Sequence, residues 1–511
     1  MIRFIRNFSR LIHIARVLAR HDALFLLDRF GLGRQVALLV RLASWRKVPG
    51  RPGERLAAAL TELGPSFIKF GQTLSTRSDL LGEEVAADLS GLQDRLEPFP
   101  GAEARATIER ELGLPVDVLF ASFDDVPVAA ASIAQVHFAV TPEGREVAVK
   151  VLRPGIEAAF ARDLDFLMWL AEMVEATQPS LRRLKPIETV RTIEESVTLE
   201  MDLRFEAAAA AEMAENFADD ETFRIPEVDW TRTAKRTLTL ERVHGIPVDE
   251  RERLIEAGFD PKALIEKAAV AFFNQVFRDG FFHADMHPGN MFVDDSGHLI
   301  AFDFGITGRL DLSTRRYLGE MLLGFLTGDY KRAAEVHFEA GYVPDHKSVD
   351  QFAQACRSVA EPILGRPLAE ISLARLLGQL FQITETFEME VQPQLLLLQK
   401  SMLVTEGVGR TLCPDINMWM LAQPLVEDWM AGHLGPLARL KDAVTSTASG
   451  MASLPHIIAQ GQKVANMMSS QGLRLHPDTL SALKQPPKRR LCQPCLAWSV
   501  ALLFLVLYLL K

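Results

Sequence analysis

The chain has 511 residues, of which 48% are apolar and 24% are charged, so it carries enough apolar side chains for a sizeable buried core. Its 32 glycines and 27 prolines exclude a collagen-like, coiled-coil or wholly disordered chain. Acidic residues number 66 and basic residues 56, giving a net charge of −10, which argues against a general nucleic-acid binder. Four scattered cysteines exclude a disulfide framework and indicate a reducing compartment.

The first 34 residues predict a basic amphipathic helix. Between Met1 and Arg20 there are five arginines and no acidic residue. Apolar side chains recur there at steps of three and four, which places them on one face of a helix: Phe4, Phe8, Leu11, Ala15 and Leu18. Such a helix can lie on an anionic membrane surface or dock on the folded domain, and the sequence leaves both alternatives open.

The central part of the chain predicts a small sheet followed by helices and short strands. Residues 35–115 have helical patterning, and residues 116–155 hold two β-branched runs joined by Pro142-Glu-Gly144, which predicts a hairpin. Long helices follow, and helices return after Asp260. The predicted strands are Gln135–Val140, Glu146–Leu152, Thr237–Val243, Met291–Val293 and Leu299–Phe302. This order predicts a two-lobed α+β protein.

The C-terminal region predicts a linker and a membrane anchor. Residues 441–490 are rich in Ser, Gly, Gln and Met, and they end in the basic triplet Lys488-Arg-Arg490. A run of 15 almost entirely apolar residues follows, from Leu496 to Leu510, with Trp498 and Tyr508 near its ends. A buried C-terminal helix is the alternative, but a segment without a polar face favours a transmembrane helix over residues 491–511. The basic triplet then predicts a cytoplasmic body.

The motif Phe282-His-Ala-Asp-Met-His-Pro-Gly-Asn290 carries the first chemical signal. His283-x-Asp285 is followed five residues later by Asn290, and Asp303-Phe-Gly305 comes thirteen residues after that. Protein kinases use this pattern, in which one Asp orients the acceptor hydroxyl while an Asn and the D-F-G Asp hold magnesium on the nucleotide phosphates. The spacing therefore predicts a site for phosphoryl transfer from ATP.

A strand lysine supports the same interpretation. Val147-Ala-Val-Lys150 matches the V-A-I-K pattern, whose lysine binds the α- and β-phosphates. Such a lysine needs a helix carboxylate to fix it, and the candidates are Glu200, Asp202 and Glu206.

Three features differ from an ordinary protein kinase. No G-x-G-x-x-G precedes Lys150, and the Ala-rich segment Ala129–Gln135 stands in its place. Ala284 replaces the arginine of H-R-D, which removes the usual partner of a phosphorylated activation loop. No A-P-E follows Gly305, and a helix is predicted from about Ser313. These differences argue against a peptide substrate and leave the prediction of ATP binding unchanged.

Taken together, the motifs resemble those of the UbiB family of atypical kinase-like proteins. They are Lys69-Phe-Gly-Gln72, the Ala-rich segment, Glu200-x-Asp202 and the His283 to Asn290 motif, and the resemblance covers about residues 20–430. The resemblance implies a two-lobed protein-kinase-like α+β fold with an N-terminal helical extension over the active site and a C-terminal transmembrane helix. The expected domains are 1–34, 35–115 (extension), 116–243 (first lobe), 244–440 (second lobe), 441–490 (linker) and 491–511 (anchor).

The resemblance also implies roles for individual residues, with ATP and Mg²⁺ as cofactors. Asp285 matches the catalytic Asp, and Asn290 and Asp303 match the metal ligands. Lys69 and Gln72 would belong to a regulatory cap and meet Glu200 and Asp202. The residues expected to bind ATP are Ala129, Ala130, Ala131, Ser132, Ile133, Ala134, Gln135, Lys150, Glu206 and the hinge residue Glu241.

The expected function is ATP turnover in support of ubiquinone biosynthesis at a membrane, by ATPase action or by phosphorylation of a small or lipid acceptor. The expected partners are a membrane lipid or isoprenoid quinone precursor, other ubiquinone-biosynthesis enzymes and a second copy of the chain, at the bacterial inner membrane. Two alternatives remain: a protein kinase that regulates a biosynthetic hydroxylase, and a nucleotide-binding scaffold without catalysis. The absent A-P-E segment disfavours the first, and the retained metal ligands disfavour the second.

Overall fold

A computed structural model describes residues 2–23, 25, 49–75, 85, 88–89, 92, 97–177, 186–220, 222–362, 383–384, 386–389, 392–413 and 418–434. The helices are α1 Ile2–Arg20, α2 Pro52–Leu63, α3 Pro65–Ser75, α4 Gly101–Leu112, α5 Val116–Leu119, α6 Ile156–Thr177, α7 Pro186–Glu200, α8 Leu203–Asn216, α9 Arg251–Glu256, α10 Pro261–Phe273, α11 Leu312–Thr327, α12 Tyr330–Glu339, α13 Val349–Ala360, α14 Pro393–Leu412 and α15 Met418–Leu434. The strands are β1 Ser122–Phe123, β2 Ala129–Ala130, β3 Ala134–Val140, β4 Glu146–Leu152, β5 Phe223–Arg224, β6 Thr237–Glu241, β7 Ile246–Pro247, β8 Phe281–His283, β9 Met291–Val293, β10 Leu299–Ala301 and β11 Thr307–Arg309.

The first lobe is built on an antiparallel sheet with the strand order β1-β3-β4-β6, and β2 pairs with β3. The predicted hairpin of β3 and β4 is present, and Gly144 in its turn has φ +85°, a conformation that glycine adopts without steric cost. Along β4, Val147, Val149 and Val151 are buried against α4, as the two-residue period of a strand requires. Lys150 therefore lies on the opposite face of the sheet.

The second lobe holds a sheet with the order β5-β10-β9-β7 and a separate pair, β8 with β11. Helix α10 packs one face into the core of this lobe, because Leu264, Ile265 and Phe272 of that helix are all buried. The predicted strand at Met291 is present as β9, and β10 ends one residue earlier than predicted. The helix predicted from about Ser313 begins at Leu312, but β11 lies before it. The Thr-Gly-Arg sequence of β11 contains no β-branched run that would predict a strand.

The N-terminal helix α1 is docked on α2 and α6. Ile14 and Val17 are buried in a small core that these helices form with α3. The buried face of α1 is rotated relative to the predicted apolar stripe, since it includes Asn7. The Asn7 side chain is 1% exposed and donates a hydrogen bond from Nδ2 to Asp165 Oδ2 at 3.2 Å. An internal polar partner thus places Asn7 on the buried side, next to the predicted apolar stripe.

The arginines of α1 form ion pairs with α6. Arg3 Nε lies 2.8 Å from Asp165 Oδ1, Arg6 also pairs with Asp165, and Arg10 lies 2.8 Å from Asp163. Of the two alternatives for this helix, the described structure shows the docked one.

Two segments of the sequence prediction fall outside the described residues: the linker at 441–490 and the anchor at 491–511. Among the helices that the structure does describe, none combines the length and the apolar character needed to span a bilayer. The C-terminal membrane helix therefore stays a prediction.

Candidate functional site

Lys150 lies in the cleft between the lobes and contacts two carboxylates. Its Nζ is 2.7 and 3.0 Å from the two carboxylate oxygens of Glu206 on α8, and 3.3 Å from Asp303 Oδ1 just after β10. The Glu206 side chain is 8% exposed and the Asp303 side chain 43% exposed. Glu206 thus holds the ammonium group from the buried side of the cleft, and Asp303 contacts it from the solvent-exposed side.

The three charges shift one another's ionisation. Burial opposes the charged form of Lys150, but Asp303 and Glu206 hold its pKa above the usual range. Burial also opposes ionisation of Asp303, but Lys150 and the Gly305 N–H hold the pKa of this carboxyl well below the usual range. Burial raises the pKa of Glu206 to about 7, with Asp303 adding to the effect and Lys150 opposing it. Asp303 is therefore ionised at neutral pH, as a metal ligand must be.

The loop after β8 presents Asp285 and Asn290 from a rigid backbone. The Asp285 N–H donates to His283 Nδ1 at 3.0 Å, and Asn290 Nδ2 donates to the Asp285 carbonyl at 3.1 Å. The His283 N–H donates to Gln275 Oε1 at 2.9 Å, and Gln275 belongs to a π-helical turn, Asn274–Asp279. Burial lowers the pKa of His283, so its ring is neutral and Nδ1 can accept the bond. Hydrogen bonds therefore hold both the N–H and the carbonyl group of Asp285 in place.

Strand pairing brings the D-F-G segment to the same loop. Thr307 of β11 pairs with His283 of β8, and the Ala284 N–H donates to the Ile306 carbonyl at 3.0 Å. The ring of Phe304 is 2% exposed and its centroid lies 5.1 Å from that of His283. Asp303 and Asp285 therefore face one cleft, as the sequence spacing predicts.

Lys400 is a site residue that the sequence did not reveal. It lies on α14, and its Nζ is 2.9 Å from Asp285 Oδ1. The side chains of Lys400 and Asp285 are 38% and 35% exposed, so their contact faces solvent. A single lysine after the apolar run Leu395–Leu398 has the pattern of an ordinary helix-surface charge. It therefore gives no signal that it reaches an acid 115 residues away.

The Ala-rich segment Ala129–Gln135 forms the β2–β3 connection. Its turn is closed by the Ala131 N–H, which donates to the Ala134 carbonyl at 2.7 Å. The Gln135 side chain points away from the cleft, with Oε1 accepting the Phe99 N–H at 2.9 Å. This amide ties the segment before α4 to the sheet, so only the backbone of Gln135 is left to face a nucleotide.

The side chains at the tip of this segment are packed into the protein interior. Ser132 is fully buried, and Ile133 belongs to the main apolar core. The Ile133 carbonyl accepts the Arg153 N–H at 2.7 Å. The tip thus offers a nucleotide backbone groups rather than exposed side chains.

Glu241 lies where the first lobe passes into the second. It is the last residue of β6, opposite Val147 of β4, and the next strand of the chain, β7, belongs to the other sheet. Its carboxylate forms an ion pair with Arg224, so the side chain is occupied. The backbone of Glu241 is then the part that faces the connection between the lobes. This is the position that the family resemblance implies for the hinge.

The cap residues of α3 lie next to the helix that carries Glu206. Lys69 Nζ is 2.9 Å from Glu200 Oε2, and the two side chains are 14% and 17% exposed. Asp202, two residues later, caps α8 and pairs with Arg204 at 2.6 Å. Gln72 Nε2 donates to the Leu92 carbonyl at 3.4 Å. The structure thus contains the predicted contact between Lys69 and Glu200.

The donor atoms at the site fit a magnesium ion that is shared with phosphates. Among the residues that the structure describes there is no cluster of three or more His, Cys, Asp or Glu side chains that could hold a metal. Magnesium in phosphoryl-transfer sites takes one or two protein oxygens and completes its shell with water and phosphate. Asp303 offers an ionised carboxylate, and the amide nitrogen of Asn290 donates to the Asp285 carbonyl, so the Asn290 side-chain oxygen is the atom that would bind the ion.

Comparisons with known proteins show which family the chain resembles. The family model of the ABC1 atypical kinase-like domain matches residues 91–337, and that of the UbiB helical domain matches residues 356–417. A protein of Marinobacter nauticus named "Probable protein kinase UbiB" is 45% identical over 456 residues, which cover 88% of this chain and 83% of that protein. The chain belongs to the UbiB family. A protein of the same name from Xanthomonas oryzae pv. oryzae is 47% identical over 401 residues, 76% of this chain and 72% of that protein.

A solved structure is also similar. It is described as the complex structure of Rv3197-erythromycin from Mycobacterium tuberculosis, with 25% sequence identity and a TM-score of 0.49, covering 76% of this chain and 97% of that one.

The two matched domains divide the site between them. Lys150, Glu206, Asp285 and Asp303 lie in the ABC1 kinase-like domain, whereas Lys400 lies in the UbiB helical domain. The contact between Lys400 and Asp285 therefore joins the two family domains at the cleft.

Proposed function

We propose that this chain is an ATP-dependent, kinase-like enzyme that acts at a membrane in ubiquinone biosynthesis, by hydrolysing ATP or by phosphorylating a small or lipid acceptor. The observation that carries the proposal is the contact of Lys150 with both Glu206 and Asp303, in the same cleft as Asp285. Phosphoryl transfer needs a cation for the phosphates, metal ligands and a carboxylate base beside the nucleophile, and the side chains of Lys150, Asp303 and Asp285 suit these roles. Membership of the UbiB family supports the biosynthetic context.

Each charged side chain has a place in the transfer. Lys150, fixed by Glu206, would donate to phosphate oxygens, while Asn290 and Asp303 would hold magnesium. Magnesium, when bound, neutralises the phosphate oxygens on which charge develops. Asp285 would orient the attacking water or hydroxyl and take up its proton as the bond between the γ-phosphorus and ADP breaks. The products would be ADP with either inorganic phosphate or a phosphorylated acceptor.

The cap supports a small or lipidic acceptor rather than a folded protein. Lys69 of α3 is tied to Glu200, six residues before Glu206, and Phe70 of the same helix packs against the main core. A helix held there by a largely buried ion pair and an aromatic contact occupies space beside the cleft. Besides, α11 begins three residues after β11, which leaves no room for a peptide-docking loop.

The membrane part of the proposal rests on the sequence. The apolar run Leu496–Leu510 follows three basic residues, and a membrane anchor there would keep the kinase-like body on the cytoplasmic side. An anchored enzyme of this kind would meet lipid or isoprenoid acceptors within the plane of the bilayer.

The test is magnesium-dependent ATP hydrolysis by the full chain, with and without liposomes. We expect turnover that lipid stimulates and that falls at least about 100-fold in Asp303→Asn, the usual effect of removing one group that stabilises transition-state charge. The matched control is Asp295→Asn, because Asp295 is an exposed Asp in the turn between β9 and β10. Binding of nucleotide without turnover in any lipid would refute the enzyme and favour a scaffold.

A further inference from the structure

We propose that Lys400 is the γ-phosphate lysine of this site, supplied to the kinase-like domain by the helical domain. The proposal rests on the nucleotide binding proposed above and adds a residue to it. Its starting point is the distance of 2.9 Å between Lys400 Nζ and Asp285 Oδ1. Asp285 is the group placed beside the attacking oxygen, so a cation in contact with it also lies beside the phosphoryl group that is transferred.

The catalytic loop itself provides no permanent positive charge. Residues 283–290 contain neither Lys nor Arg. His283 is fully buried and accepts the Asp285 N–H with Nδ1, and His287 uses Nδ1 to accept the Gly289 N–H at 3.1 Å. Lys150 is engaged with Glu206 and Asp303 deeper in the cleft. A phosphoryl group at Asp285 would therefore meet only negative charge from the loop, unless another element supplied a cation.

Lys400 has the freedom and the support that this role requires. An ammonium group has three donor hydrogens, and the contact with Asp285 uses one of them. Its side chain is 38% exposed, so an incoming phosphate can reach it without displacing a buried group. A lysine that balances Asp285 in the absence of nucleotide can thus donate to the γ-phosphate once nucleotide is bound.

The helix that carries Lys400 is firmly packed. Leu398, Val408 and Leu412 of α14 are buried in the main core, and the Leu412 carbonyl accepts the Arg251 Nε–H at 3.0 Å. Ser401, the next residue after Lys400, is fully buried. The backbone of Lys400 is therefore held in place, and only its side chain needs to move.

The test compares two nucleotides on the full chain in detergent. Wild type and Lys400→Met are titrated with Mg-ADP and with the magnesium complex of the non-hydrolysable β,γ-imido analogue of ATP. A lost charge-assisted hydrogen bond weakens binding about 10- to 100-fold, so we expect this loss for the ATP analogue and almost none for ADP. Lys262→Met is the control, because Lys262 has a 65% exposed side chain on α10 of the same lobe.

A second pair of variants separates contact with phosphate from neutralisation of Asp285. If Lys400 only balances Asp285, then Lys400→Met has no effect in an Asp285→Asn background. If Lys400 binds the γ-phosphate, the selective loss of the ATP analogue persists in that background. Equal loss of ADP and the analogue, or no loss of either, would overturn the proposal. Wild-type protein that binds neither nucleotide would instead refute the proposed function. Circular dichroism of each variant establishes that it is folded.

Discussion

The ion pair between Lys69 and Glu200 is the residue-scale feature that most directly separates this site from an open kinase cleft. Both side chains are largely buried, so removing Lys69 takes away the counter-charge that the structure records for Glu200. We expect Lys69→Ala to reduce the free energy that holds α3 against the domain by on the order of 1–3 kcal/mol. The cleft should then admit a protein segment, so the chain should phosphorylate itself more. Autophosphorylation with labelled ATP measures this.

A double variant identifies the cause of that increase. Lys69→Ala with Glu200→Ala removes the cap contact and leaves no unpaired carboxylate. Autophosphorylation that rises in both the single and the double variant would follow from loss of the cap. A rise in the single variant alone would indicate local disruption by the unpaired Glu200, and unchanged autophosphorylation in both would contradict the role of the cap.

Sequence spacing predicted which motif residues lie near one another, and their chemical roles stay predictions. Asp285 and Asn290 lie in the loop after β8, and Asp303 lies just before β11, the strand that pairs with β8, so local spacing was enough to predict that they lie near one another. The residues alone narrowed the partner of Lys150 to three acids, the family resemblance implied Glu206, and the structure confirms that contact. The orientation of Gln135 and the approach of Lys400 depend on tertiary packing, which leaves no trace in local spacing.

At the scale of elements, the docking of α1 on α6 makes a prediction of its own. Asp165 accepts bonds from Arg3, Arg6 and Asn7. We expect Asp165→Ala to weaken docking by about 1–2 kcal/mol, since three contacts to a partly exposed carboxylate are lost. Tryptic cleavage within α1 should then be roughly 5- to 30-fold faster.

The control and the pH dependence follow from the same contacts. Glu172→Ala should leave cleavage unchanged, because Glu172 makes one contact to Arg3 at 3.5 Å and its side chain is 48% exposed. Burial opposes ionisation of Asp165, but its three donors hold its pKa below the usual 3.8. The contribution of Asp165 is therefore present above pH 3.8 and is lost as the pH falls through the lowered pKa. Equal cleavage rates in wild type and Asp165→Ala at pH 7 would contradict docking.

Elements with a strong local pattern were predicted well, and those defined by tertiary pairing were not. The alternating valines and the Pro-Glu-Gly turn predicted the β3–β4 hairpin to within a residue. In contrast, β11 has no strand pattern and exists because Thr307–Arg309 pair with β8. Gly308 is required there, since a Cβ would lie 2.2 Å from the ring of Phe282. A strand of this kind is specified by its partner rather than by its own propensity.

At the scale of the whole molecule, the charged groups of the cleft come from five separate elements. Lys150 lies on a strand of the first lobe, Glu206 on α8, Asp285 and Asp303 after strands of the second lobe, and Lys400 on α14. The site is complete only when both lobes and the helical domain are packed together. Nucleotide binding should therefore report on the folding of the whole kinase-like body.

That body and the predicted anchor should be separable. We expect a chain that ends at Arg490 to leave the membrane fraction and to lose lipid stimulation, because it lacks the 15-residue run Leu496–Leu510. Its affinity for Mg-ADP should be unchanged, since every described charged group of the cleft lies before residue 401. Membrane flotation and nucleotide titration measure the two properties on one preparation. A truncated chain that still floats with liposomes would place the membrane contact on the body, where the basic helix α1 is the first element to test.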